Sequence, residues 1–456
     1  MTRIKSGTLF LSSNQRFYQM KFTVVSPEIY TYGAMLIGGV LRDEGYNVSL
    51  STKLSVKPKE TLMLSLFSTQ HLLSDEIKKL VKDHRSKGGK VYVGGPVSAY
   101  FEMVLGELEP DCVCVGEGEE TVKKLAGDGV SNDFPGLAFY DDGSEIVFTG
   151  KAERVDVNKR PLPLIPPDIG SQDIRGASAY IETHRGCTGG CTFCQVPRYF
   201  GRDIQSRSVE DILKEVREFK KRGAKRLSVS GGTGSLFQYK NGEINEEKFI
   251  ELMKGMAEIM GPKNISSPDI RVDCISDNIL EAIRNYTIGW IFFGLESGSD
   301  RVLKKMGKGA TANQAAEAVA ACHEHGLKAA GSFIVGYPGE TEEDYEMTKD
   351  FITMNQLDDV FISIAEPIPK TPLADLVLRT PDEENPVFVP HTDEYKALKI
   401  TEAEARSFDL MMHADLFRTN MRPVTNDIFD IYLKNVRKDG DDIRRATAVL
   451  RKYYGE

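Results

Sequence analysis

Thr183-His-Arg-Gly-Cys187-Thr-Gly-Gly-Cys191-Thr-Phe-Cys194 places three thiols within eight residues, just after the short apolar run 180–183. Such a run reads as a strand, and the glycines as the loop that leaves it. Thiolates are the ligands of iron–sulfur clusters, and a short loop can wrap one corner of a cubane. Three ligands for four irons leave one iron open to another molecule. A structural zinc site would want four ligands, usually in paired C-x2-C form, and no fourth Cys or His stands nearby at matching spacing. His184 falls in the strand-to-loop turn and reads as a packing residue.

Downstream of the loop, helical and strand patterns alternate. Helices are expected at 209–222, 245–260, 278–286, 313–325 and 342–354, and strands at 226–230, 270–273, 290–293, 328–335 and 359–364. With 180–183 this makes six strand–helix repeats, a partial (β/α)6 barrel spanning 177–370. Turns rich in glycine or charge close the strands: Gly231-Gly232 after the second, Arg271 and Asp273 at the third, and Glu296-Ser297 at the fourth. Gly336-Tyr-Pro-Gly339 follows Phe333 and Val335 at the fifth. Barrel enzymes build their sites at these C-terminal strand ends. Each turn alone has a mundane reading, but four in order behind a cysteine loop point to one cavity. Residues 371–456 are polar and helical, an extension suited to docking a substrate.

Upstream, residues 1–150 read as a doubly wound, Rossmann-like α/β domain. Strands are expected at 22–25, 48–51, 61–67, 90–93 and 112–115, with helices at 33–45, closed by Gly45, and 75–87. Gly94-Gly95-Pro96 and Gly116-Glu117-Gly118-Glu119 lie at carboxyl ends of strands, where such sheets bind ligands. Pro161, Pro163, Pro166 and Pro167 break regular structure and mark 151–176 as a linker.

The chain of 456 residues carries 41% hydrophobic and 27% charged residues and a net charge of −9. That balance suits a globular protein, and the acidic charge argues against nucleic acid as a partner. No apolar run reaches the roughly 20 residues of a membrane span, and no cleavage signal stands at the N-terminus, so a cytoplasmic location is expected. Seven cysteines, an odd number with three clustered, suit a metal site better than a disulfide framework.

The C-x3-C-x2-C spacing, with Phe193 before the last cysteine, resembles the radical S-adenosylmethionine (SAM) superfamily, and the strand-end turns match its order. The resemblance implies a [4Fe–4S] cluster on Cys187, Cys191 and Cys194. It implies SAM held by Phe193, Gly231, Gly232, Arg271, Asp273, Glu296, Ser297, Phe333 and Val335, with Tyr199 and Arg202 shaping the catalytic pocket. In relatives the turn after the second strand is of Gly-Gly-Glu type; here it is Gly-Gly-Thr, so its acidic contact is missing.

The N-terminal domain is similar to the cobalamin-binding domain upstream of many such barrels. The resemblance assigns cobalamin contacts to Thr31, Tyr32, Gly33, Ser65, Phe67, Thr69, Gly94, Gly95, Pro96, Gly116, Glu117, Gly118 and Glu119. The Asp-x-His-x-x-Gly motif that ligates cobalt from below is absent, a departure shared with relatives of the methyltransferase class. Together these resemblances imply a C-methyltransferase that methylates an unactivated sp3 carbon through a 5′-deoxyadenosyl radical and methylcobalamin. The layout looks similar to an archaeal group of methanogens that includes the enzyme methylating the α-carbon of a glutamine in methyl-coenzyme M reductase. A peptide or protein substrate, an external electron donor and a monomeric state are expected with it. Two other readings stay open: a cobalamin-binding radical enzyme that rearranges or cyclises a small molecule, and a non-catalytic cobalamin or iron–sulfur sensor. Methylthiotransferases usually carry a second set of three cysteines upstream. Here only Cys112 and Cys114 precede the loop, and they read as core.

Overall fold

A computed structural model describes residues 20–230, 232–266 and 268–455, and the chain divides into two compact units. Among the described residues, the first unit comprises 20–67, 74–155 and 159–166. Its strands β1 (Lys21–Val25), β2 (Asn47–Ser51), β3 (Thr61–Ser65), β4 (Val91–Gly94) and β5 (Cys112–Cys114) run parallel in the order β2-β1-β3-β4-β5. Strands covered on both faces read as unbroken apolar runs. Leu62 to Leu64 and Val91 to Val93 are such runs, Phe22 to Val25 is interrupted only by Thr23, and all are buried. The connecting helices are α1 (Tyr32–Asp43), α2 (Asp75–Ser86), α3 (Phe101–Leu108) and α4 (Gly118–Asp128).

Local chemistry sets the ends of α1. Thr31 Oγ1 accepts from Ala34 N at its start. At its end Gly45 takes φ +88°, and Gly45 N and Tyr46 N donate to Arg42 O and Leu41 O, both at 3.0 Å. That is a Schellman closure, which a left-handed glycine permits. An antiparallel hairpin, β6 (Leu137–Tyr140) and β7 (Ile146–Phe148), extends the sheet beyond β5. The sequence reading had no strand there.

The second unit holds 68–73, 156–158 and 167–455 among the described residues. Six parallel strands form its frame: β8 (Ala179–Glu182), β11 (Leu227–Ser230), β12 (Asp269–Ile270), β13 (Trp290–Glu296), β14 (Lys328–Val335) and β15 (Asp359–Ile364). A minor antiparallel pair, β9 (His184–Arg185) and β10 (Gln205–Ser206), closes the base of the cysteine loop. β8 pairs with β11, and β12 to β15 pair in sequence. A bridge from Leu227 to Ile265, with Ser266 N donating to Leu227 O at 2.8 Å, links the two sections. The third strand is shorter than expected, because Val272–Cys274 turns into a 3-10 helix.

Around this frame stand α5 (Val209–Lys221), α6 (Glu246–Met260), α7 (Asp277–Tyr286), α8 (Ala312–Glu324) and α9 (Glu342–Asn355). Each starts on a Ser, Asn or Thr whose side chain accepts the third backbone N–H, which fixes the point where each helix leaves its turn. The C-terminal region is α10 (Pro372–Arg379), α11 (Glu402–Phe417) and α12 (Asn426–Tyr454). Arg406 ties α11 to the end of β14, with Nη1 3.0 Å from the buried Glu340 carboxylate, which also accepts from Gly336 N. Among the described residues no helix is long and apolar enough to cross a membrane.

Candidate active site

The cysteine loop runs from β9 to a helical turn, Val196–Tyr199. Gly186 enters it at φ +97°, where a Cβ would lie 2.6 Å from Asp203 O. Gly189 is also close-packed, since a Cβ there would lie 2.7 Å from Arg271 Nη1 and 3.4 Å from Cys187 Sγ. Polar contacts pin the loop from both ends. Arg198 Nη1 donates to the carbonyls of Cys191 and Cys194, and Arg202 Nη2 donates to Thr188 O at 2.7 Å. Thr192 Oγ1 meets the Tyr337 hydroxyl at 2.9 Å, and Leu373 N donates to Thr192 O at 3.1 Å. Phe193 packs onto Met306, Tyr337 and Leu373, so the loop is keyed to the fifth strand end and to α10.

All seven cysteines are free of disulfides. Cys191 is buried, and Cys187 and Cys194 are half-buried. Burial pushes the thiols of Cys191 and Cys194 up, the latter to about 11. Thiols in this state bind iron by giving up their protons to it, so metal loading and deprotonation are one event. Three thiols free of disulfides, on a loop whose glycines carry no side chains, are the donor chemistry that an iron–sulfur cluster takes. The other four cysteines are buried. Cys112 and Cys114 lie in the first unit's core with Phe22, Met63 and Leu137, as expected of core residues.

The second strand end comes to the same loop. A Cβ on Gly232, at φ +93°, would lie 3.7 Å from Cys187 Cβ. Gly231 lies outside the described residues. Arg271 grips Asp273 through two hydrogen bonds, 2.9 and 2.7 Å, and donates to Lys308 O at 3.0 Å. Glu296 sits past a register shift in β13, at φ +68°, and its buried carboxylate pairs with Lys308 Nζ at 2.8 Å. Ser332 Oγ reaches the other Glu296 oxygen at 3.5 Å.

The other assigned residues make packing or backbone contacts. Ser297 is buried against α9, with its hydroxyl 3.2 Å from Thr348 Oγ1. Phe333 is fully buried, 6.1 Å edge-on to the Phe351 ring of α9. Val335 shares its strand face by the two-residue alternation. Their side chains therefore turn to the helix layer, and Ser332 is the β14 residue that reaches Glu296. Tyr199 stacks its ring edge on Phe200, and Arg202 is exposed and holds the loop backbone. Lys308 and Ser332 escaped the sequence reading as site residues.

In the first unit, the strand ends carry a hydroxyl cluster. Thr31 Oγ1 lies 3.0 Å from Ser26 Oγ and 3.5 Å from Ser65 Oγ. Gly33 has open space where its Cβ would be, and Gly94 meets only Cys114 at 3.7 Å. This open, hydroxyl-lined edge fits the polar periphery of a large planar ligand. Gly95 and Gly116 are needed by the chain itself, since a Cβ on Gly95 would lie 2.5 Å from Leu66 O and one on Gly116 would lie 3.3 Å from Ala152. Pro96 starts a 3-10 turn, Pro96–Tyr100, and Gly118 begins α4. Glu117 is buried and accepts from Val155 N at 3.2 Å, Glu119 is buried in α4, and Tyr32 accepts from Arg160 at 2.9 Å. Phe67 lies in this unit, and Thr69, on the short helix Thr69–Leu73, in the second. The first unit's one histidine, His84, meets Glu60 O at 2.9 Å and packs under Gly89, away from the strand ends.

Comparison with known proteins adds three findings. The model of the Radical SAM superfamily matches residues 181–352. A protein of Methanocaldococcus jannaschii with the provisional name of a methylthiotransferase is 50% identical over 459 residues, covering 99% of this chain and 98% of that one. Among solved structures, the radical SAM methyltransferase TsrM of Kitasatospora setae, with cobalamin and a [4Fe–4S] cluster bound, aligns at a TM-score of 0.65 and 15% identity, over 94% of this chain and 99% of that one. The cobalamin-dependent radical enzyme OxsB, with aqua-cobalamin bound, aligns at 0.63 and 19% identity, over 91% and 63%. At such identities the two structures establish a shared fold.

Proposed function

Because the chain belongs to the radical SAM superfamily, we propose that it is a cobalamin-dependent C-methyltransferase acting on an unactivated sp3 carbon. The observation that carries the reading is the pairing, in one chain, of a three-thiol glycine loop with a parallel sheet that carries a hydroxyl cluster, Ser26, Thr31 and Ser65, beside the open space at Gly33. When bound, the cluster and SAM supply a 5′-deoxyadenosyl radical that takes a hydrogen atom from the substrate carbon, and cobalamin supplies the methyl group that this carbon receives. The chain's own part is positioning. Cys187, Cys191 and Cys194 hold the cluster, and Gly232 lets a ligand approach Cys187 without a side chain in the way. Arg271 with Asp273 and Glu296 with Lys308 present fixed charges at the third and fourth strand ends. Thr31 and Ser65 offer hydroxyls to the cobalamin periphery.

The provisional name of the M. jannaschii relative raises methylthio transfer as a second reading. That chemistry needs a sulfur source, commonly a second cluster on three further cysteines. The four cysteines outside the loop are buried, and two of them sit in a hydrophobic core, which favours methyl over methylthio. For the substrate we propose a peptide segment, with the α-carbon of a glutamine in methyl-coenzyme M reductase as the specific case. The similarity of the chain's layout to the archaeal group that holds that enzyme supports it. A cytoplasmic monomer served by an external electron donor, with no nucleic-acid partner, completes the proposal. Turnover with methyl-deuterated SAM and a peptide around that glutamine tests it. The expected product gains one labelled methyl and no sulfur, and a sulfur-bearing product refutes it.

A further inference from the structure

Between Gly186 and Gln195, Gly190 alone is exposed. It is bonded directly to the buried Cys191, so the cysteine loop meets solvent one peptide away from a thiol-bearing residue. Two segments flank this point. A Cβ on Gly190 would lie 3.8 Å from Gly307 O and 3.9 Å from Arg202 Nη2. The turn 306–309 is fastened to the loop, since Thr192 N donates to Met306 O at 2.8 Å and a Cβ on Gly307 would lie 2.9 Å from Gly190 O. The short helix Asp300–Lys305 leads into the turn, and Gly307 N donates to Lys304 O at 3.1 Å. Beside the turn lies a cleft of about 490 Å³, lined by Asp300, Lys304, Gly307, Gly309, Thr311 and Gln314.

The charge on these segments is mostly positive. Arg198 and Arg202 donate to backbone carbonyls of the loop, and Lys305 Nζ donates to Gly339 O. Lys304 is exposed. A carbonyl does not cancel a cation, and none of these four makes an ion pair among the described residues. Asp203 and Asp300 are the carboxylates of the same segments, and Asp300 accepts from Ala312 N at 2.7 Å. Behind the turn, Arg271 with Asp273 and Lys308 with Glu296 are neutral pairs. The whole chain carries −9, so this local excess of cations runs against its overall charge. A patch of one sign attracts and orients a partner of the other before contact.

We propose that this basic surface around Gly190, with Lys304 at its rim, docks the external electron donor, and that the donor is a small acidic protein with a one-electron centre. The inference rests on reading the loop as a cluster loop. Docking there brings the carrier to the exposed point of that loop. The carrier is oxidised by one electron, the cluster is reduced by it, and no bond is made or broken. Electron-transfer encounters are small, burying less than about 1,200 Å², so charge at the rim counts for more in them than an apolar centre.

The test uses the full chain, with an acidic plant-type [2Fe–2S] ferredoxin as the probe. Its affinity is measured at about 10 mM salt, where charges act over ~30 Å, and at about 1 M, where they act over ~3 Å. K304E is expected to weaken binding about fivefold at low salt, a difference that closes at high salt. K304R keeps the charge and is expected to bind like wild type. K263E makes the same change in net charge on the exposed turn Pro262–Asn264, which leads into the start of β12, and is also expected to bind like wild type. Reduction is then followed by absorbance in anaerobically reconstituted chain with its iron counted. K304E is expected to slow reduction by the ferredoxin about fivefold and not to slow reduction by the methyl viologen radical cation. Unchanged ferredoxin affinity in K304E overturns the proposal, as does an equal loss in K263E or equal slowing with both reductants. Tighter binding of an RNA oligonucleotide than of the ferredoxin overturns it too, by making the surface a phosphate site. The affinities need no cluster, so wild-type chain that takes up no iron would sink the cluster reading while the binding series still decides the docking surface.

Discussion

Substituting Gly186 by alanine isolates the geometry on which the cysteine loop depends. Two costs add at this position. The residue sits at φ +97°, where a side chain costs about 1–2 kcal/mol. Its Cβ would lie 2.6 Å from Asp203 O and 3.1 Å from Gly201 O. Both are backbone atoms, and Cys187 N donates to Gly201 O. Reaching an ordinary contact of about 3.4 Å demands a shift of roughly 0.8 Å, and overpacking of this kind costs about 1–3 kcal/mol. The sum is about 2–5 kcal/mol, placed one residue before Cys187. Gly223, after α5, is the internal control. It sits at φ +88° with nothing within 4 Å of its Cβ position, so G223A carries the conformational cost alone, about 1–2 kcal/mol. The assay is iron per chain after anaerobic reconstitution, with calorimetry alongside. G186A is expected to load less than about half the wild-type iron and to lose more thermal stability than G223A, which loads fully. Equal iron in both variants, with equal melting shifts, would refute the reasoning.

Arg406→Met strands the buried Glu340 carboxylate beside Glu402 and Glu342 and should cost about 3–5 kcal/mol. A double variant with E340Q should cost less than the sum of the single changes in calorimetry. Burial holds the His413 imidazole below its ordinary value despite its bond to Lys349 O. The unfolded chain therefore takes the proton first, so this contribution is complete above about pH 6.5 and is lost as the pH falls through the lower folded value. H413Q should flatten the decline in melting temperature between pH 7 and 5. Tyr337→Phe removes the hydroxyl that meets Thr192 while keeping the ring, and should lower the melting temperature by the equivalent of about 0.5–1.5 kcal/mol without preventing iron uptake.

How much the sequence could reveal depended on how local each feature is. Strands 328–335 and 359–364 were read to the residue, since long apolar runs between capped helices carry their own boundaries. The cysteine spacing is a local signal too, and the loop lies where it was expected. The β6–β7 hairpin was missed because its strands are short and partly exposed, without the buried apolar run that marks the equally short β4 and β5. Helix α3 was hidden behind Pro96 and a 3-10 turn. At the third barrel strand, Arg271 and Asp273 were placed on an extended segment, whereas the chain coils immediately after Ile270. Side-chain facing was the least accessible property. Phe333 and Ser332 are neighbours, and only pairing across β13 shows which of them reaches Glu296. Arg207 stands two residues before α5. It is buried, and its guanidinium pairs with Glu215 at 2.8 Å, a partner eight residues away that only the folding of α5 onto the barrel brings close.

The central claim is that Cys187, Cys191 and Cys194 hold a cluster that cleaves SAM, and 5′-deoxyadenosine formation tests it most directly. Reconstituted wild-type chain, given dithionite and SAM, should hold about four irons and one cobalamin and release 5′-deoxyadenosine. The C187A/C191A/C194A variant should hold no cluster and release none. A triple variant that keeps its iron and still forms deoxyadenosine would contradict the account.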